Sequence, residues 1–118
     1  MAVKKINKQE QITANTPDSI LLTITIGNAQ IGGSVVRWKN SQEIIGKGEI
    51  KNLNLGTGTT LKGRVLKVTT NVLDVNEQTN GIIINDYFYN SGKPLFTFED
   101  RVNNDGDILQ LITEYNFK

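Results

Sequence analysis

Acidic and amide side chains crowd two short stretches of this 118-residue chain. In one, Asn103, Asn104, Asp105, Gly106 and Asp107 put oxygen ligands on alternate residues with Glu114 further on, a spacing that could begin to wrap a calcium ion. The glycine is not at the position the EF-hand turn requires, and the residues leading to Glu114 alternate as a strand does. The calcium expectation therefore narrows to Asp105 and Asp107, beside the plainer reading of an Asx-rich turn. In the other stretch, Asp74, Asn76 and Asn80 could hold a cation or hydrogen-bond the hydroxyls of a sugar, or simply solvate a long loop.

Histidine and cysteine are both absent. That removes the commonest general base, the commonest metal ligand, thiolate nucleophiles and sulfur-ligated metals. Carboxylates remain for a hydrolase of the paired-acid kind, among them Asp74, Glu77, Asp86, Glu99, Asp100, Asp105 and Asp107, but their spacing brings no two to a catalytic separation. The segment Gly56 to Gly63 is glycine-rich like a phosphate cradle, yet it lacks the G-x-x-x-x-G-K-[ST] order and runs into a strand instead of a helix. The expectation is a protein that is not an enzyme and needs no cofactor beyond calcium in its acidic loops.

The aromatic residues point elsewhere. In the run Ile82 to Tyr89, alternation sends Phe88 to the side of Ile82 and Ile84, and Tyr87 and Tyr89 to the side of Ile83 and Asn85. If the first side is core, two tyrosines and an amide share an outer face, a combination favoured in protein interfaces and in sugar sites alike. The competing reading is a strand covered on both faces. Trp38 alternates with Val36 and is expected in the core.

These residues must be positioned by strands. Ile20, Leu22, Ile24 and Ile26 alternate with threonines, and Val36 and Trp38 alternate with Arg37 and Lys39. Similar pieces recur near residues 43–45, 49–55, 64–73, 82–89, 95–101 and 108–117, separated by Gly and Asn turns. Seven to nine short strands on this pattern predict an all-β antiparallel sandwich, Ig-like or jelly-roll-like. Hairpins are expected across Asp74 to Gly81 and across Asn103 to Asp107. Residues 1–17 are polar, carry Lys4, Lys5 and Lys8, and end at a Thr16-Pro17-Asp18 turn, so they are expected to be a flexible N-terminal segment ahead of a single domain at 18–118.

Thirteen basic against twelve acidic residues leave no field to draw in a polyanion, so no nucleic-acid partner is expected. No apolar run approaches the ~20 residues of a membrane-spanning helix, nor the apolar core of a signal peptide. Neither membrane insertion nor export is expected, and the chain as written should stay in the cytoplasm. Taken together, the residues favour a noncatalytic interaction module that binds another protein or assembles with itself. The alternative is a carbohydrate-binding, lectin-like module assisted by calcium.

Overall fold

A computed structural model describes residues 2–118. Its strands are β1 (Val3–Ile12), β2 (Ser19–Ile26), β3 (Ile31–Trp38), β4 (Ile44–Gly48), β5 (Leu53–Thr57), β6 (Val65–Leu73), β7 (Gly81–Tyr89), β8 (Leu95–Arg101) and β9 (Ile108–Phe117), with one helical turn α1 (Gly58–Leu61) after β5. They form two packed sheets, ordered β1-β9-β6-β3-β4 and β5-β2-β7-β8. The all-β sandwich expected from the alternation is the fold observed.

Strands β2, β6, β7 and β9 each bury the face their pattern marks. In β9, Leu109, Leu111, Thr113, Tyr115 and Phe117 point inward while Ile108, Gln110, Ile112, Glu114 and Asn116 are half-buried outside. From the opposing sheet Ile20, Leu22, Ile24, Ile82, Ile84 and Phe88 meet them. The centre is aromatic: Phe88 lies edge-on to Tyr115, with ring centroids 4.6 Å apart, and Phe96 lies 5.1 Å from Tyr115. Trp38 sits at the margin of this core rather than within it, half-buried against Phe117, with the Arg64 guanidinium 3.8 Å above its ring.

Two expectations are corrected. Residues 3–12, taken as flexible, form edge strand β1, which runs parallel to β9 from the Val3/Ile108 pair to the Ile12/Phe117 pair. The polar composition hid it, because an edge strand bonds through its backbone and needs few apolar anchors. Here Ile12 is fully buried and Ile6 packs on the core, while Lys4, Lys5 and Lys8 blunt the free edge against further pairing. The following residues are held too: Gly58 and Thr59 donate backbone hydrogen bonds to the carbonyls of Asp18 and Thr16.

The second correction concerns the hairpins. Strands β6 and β7 lie in different sheets, as do β8 and β9, so the segments 74–80 and 102–107 arch across the sandwich. Alternation reports which face of a strand is buried but carries no information about its partner. Sequential strands pair only as β3-β4 and β7-β8.

Candidate functional site

The acidic loops meet at one end of the sandwich, where the arches 74–80 and 102–107 lie beside the β2-β3 connection. Gln30 is their hub. Its Nε2 donates to Asp74 Oδ1 at 2.7 Å and to the carbonyls of Thr79 and Gly81, and its Oε1 accepts the backbone N–H groups of Val75 and Asn76 at 2.8 and 2.9 Å. Asp74 is 1% exposed. Asn76 spends its amide on the Asn28 carbonyl and its oxygen on the Gln78 N–H, and Asn80 donates to the Asn103 carbonyl. Asp107 is buried and accepts the N–H groups of Ala2 and Asn104. The Ala2 N–H holds its carboxyl below the usual value, assisted by the Asn104 N–H against the effect of desolvation. Asp105 alone of these acids is exposed.

The sequence thus found residues that do come together, and the structure gives Asp74, Asn76 and Asn80 the work of knitting three loops while Asp107 fixes its own turn and the start of β1. Buried polar atoms are paired internally here where water cannot reach them, except Asp74 Oδ2, which is buried with no hydrogen-bond partner. No group of three or more acidic side chains converges as a metal would require among the described residues.

Tyr87, Tyr89 and Asn85 lie on the outer face of the second sheet, the first of the two placements the alternation allowed. Tyr87 and Asn85 are half-buried and Tyr89 is 41% exposed. The two rings are nearly parallel, at 10°, with centroids 6.1 Å apart. Across the strands Tyr89 stands opposite Leu21, Tyr87 lies between Thr23 and Leu95, and Asn85 lies between Thr25 and Thr97. Thr97 Oγ1 bonds Asn85 Oδ1 at 2.8 Å, which fixes the amide's orientation. None of these cross-strand rows carries a charge; the first acid on this face is Glu99, opposite Ile83.

A second feature lies on the inward face of β7. Alternation places Asp86 with Ile82, Ile84 and Phe88, so its carboxylate enters the core at 3% exposure. One oxygen accepts the phenol of Tyr115 in a short hydrogen bond. The other, Oδ1, is buried with no hydrogen-bond partner. Burial pushes the Asp86 pKa up to about 6, the Tyr115 hydrogen bond working against it. Burial first and the Asp86 charge second hold the Tyr115 phenol far above its usual value, so the phenol remains the donor. Both residues line a cleft of about 170 Å³ that opens between edge strands β1 and β8, with Lys8, Glu10 and Lys93 around it.

Sequence reasoning counted Asp86 among the acids without giving it a place. The signal was there, since a carboxylate in register with Ile82, Ile84 and Phe88 must enter the core. Its partner Tyr115 is 29 residues away on the opposing sheet, and no pattern in the string joins them. Compared with known proteins, the chain matches no protein family, no curated protein and no solved structure.

Proposed function

We propose that this protein is a noncatalytic interaction module that docks a partner protein on the outer face of the β5-β2-β7-β8 sheet. The observation that carries the reading is the parallel Tyr87 and Tyr89 pair inside an uncharged field of Leu21, Thr23, Thr25, Asn85, Leu95 and Thr97. Tyrosines offer rigid apolar area at small entropic cost and a hydroxyl for hydrogen bonding, and interface centres are depleted in charge and enriched in such rings.

Size bears on what kind of partner this is. Four strands of 8, 5, 9 and 7 residues, about 4.8 Å apart at ~3.4 Å per residue, give this face a flat area of roughly 500 Å². A standard interface takes ~800 Å² from each partner, and permanent dimers take more. The calcium-assisted lectin reading has less to draw on, because the side chains it would use at Asp74, Asn76 and Asn80 are engaged in bonds between loops and Asp107 is held by the Ala2 and Asn104 N–H groups, which leaves Asp105 exposed.

The test is affinity capture from the source organism's extract at ~0.15 M and at ~0.5 M salt, wild type against the Tyr87→Ala/Tyr89→Ala double variant, with sedimentation velocity reporting self-association separately. A partner captured at both salt concentrations by wild type and lost with the folded variant supports the reading, since an uncharged contact is little screened. Identical partners for both proteins would refute it.

A further inference from the structure

We propose that the cleft between β1 and β8 is a binding site for a small zwitterion, its ammonium group directed inward to Asp86 and its carboxylate outward to Lys8 and Lys93. This is a second site, on the side of the sandwich, meeting the tyrosine face at Leu95 and Thr97 of β8.

A buried carboxylate is costly unless its oxygens are matched by donors, and folds keep such groups paired. Asp86 has one donor, the Tyr115 phenol, and its Oδ1 has none. Asp86 contributes to the cleft's lining while its unmatched Oδ1 lies buried just beneath that surface, so an ammonium group seated there, with a small turn of the carboxylate toward it, supplies the donor that the protein does not. An ammonium group supplies both a donor and the opposite charge.

The charges around the cleft give it polarity. Every titratable group on its lining counts here: Lys8 and Glu10 from β1, Lys93 from the β7-β8 turn, Tyr115 from β9 and Asp86 itself. Asp86 is deep. Lys8 and Lys93 stand nearer the surface, each over an aromatic wall, with Lys8 Nζ 5.5 Å from the Phe98 ring centre and Lys93 Nζ 4.4 Å from that of Phe96. Lys8 has only a loose contact with Glu10, at 4.0 Å, and Lys93 has no carboxylate partner among the described residues. A wholly cationic ligand would have to pass two lysines, and a wholly anionic one would meet Asp86 and Glu10. A molecule with its positive end leading satisfies both ends. The volume, about 170 Å³, is close to the ~150 Å³ of an engineered cavity that admits benzene, so the ligand is of single amino-acid size.

Thermal unfolding and calorimetric titration with glycine, leucine, γ-aminobutyrate and phenylalanine test this, with ethanolamine, acetate and glucose as comparison probes. At least one zwitterion should raise the midpoint by several degrees at a concentration one hundred times its Kd, with the comparison probes bound at least tenfold more weakly. Asp86→Asn and, on the exposed rim, Lys93→Gln should each weaken binding tenfold or more; Lys93→Gln removes no buried group, so its result does not depend on how Asp86→Asn folds. Affinity should also fall as pH drops through about 6 and Asp86 takes up its proton. Absence of any zwitterion binding, binding of glucose or ethanolamine in preference, or binding unchanged in Lys93→Gln would each overturn the assignment.

Discussion

Replacing Asp86 by Asn removes a charge that the fold holds in its interior at neutral pH, and the consequence for stability can be worked from the structure. The carboxyl titrates at about 6 in the folded protein against 3.8 as the ordinary value. A carboxyl whose folded pKa is raised contributes stability below its unfolded pKa and loses it as pH rises through the folded one. The difference, about 2.2 pH units at ~1.4 kcal/mol each, comes to about 3 kcal/mol. Roughly 2 kcal/mol of this falls between pH 4.5 and 7.5. Asparagine keeps an oxygen to accept the Tyr115 phenol and carries no charge, so the variant lacks this dependence. Urea unfolding of both proteins at half-unit pH steps isolates the group, because all other titrations cancel in the difference. The stability of Asp86→Asn relative to wild type should climb by about 2 kcal/mol from pH 4.5 to pH 7.5, a relative midpoint shift of about 1 to 2 M urea for a domain of this size. A difference that stays constant across this range, or falls, would refute the argument that Asp86 is a buried and costly charge.

Other outcomes follow from the packing. Ile12→Ala should cost about 2 to 5 kcal/mol by urea unfolding, since the side chain is fully buried; a loss below ~0.5 kcal/mol would mean that β1 does not dock in solution. Gly58→Ala should cost about 1 to 3 kcal/mol, because a Cβ there would press on the carbonyls of Ala14 and Thr16; an unchanged midpoint would show that the 13–18 segment yields freely. Gln30→Ala strips Asp74 of its hydrogen-bonded partner and orphans the N–H groups of Val75 and Asn76, so a loss of about 2 to 4 kcal/mol is expected, and hydrogen exchange should accelerate first in residues 74–80. Tyr87→Ala/Tyr89→Ala should move stability by less than ~1 kcal/mol while weakening the partner complex at least ~30-fold; circular dichroism and titration against the captured partner check the two halves.

The string of residues by itself determined which faces are buried. Period-two alternation in β2, β6, β7 and β9 needs only local sterics and one wet side to be read, and it put Tyr87 and Tyr89 on the face opposite Phe88; that this face is the outer one was decided by the packing of the sheets. Turn chemistry likewise marked where strands stop. Pairing was beyond its reach, because every half-buried strand offers the same backbone ladder and the choice of neighbour depends on how all the faces pack together. Hence β6 and β7 look like a hairpin and are an arch, and β1 looks like a tail and is an edge. The same limit applies to chemistry. Asp74 and Gln30, or Asp86 and Tyr115, meet only once two sheets close on each other. Burial then turns Asp74 into a brace between loops and turns Asp86 into a charge with an unmatched oxygen, because desolvation belongs to the enclosed interior and not to the residue.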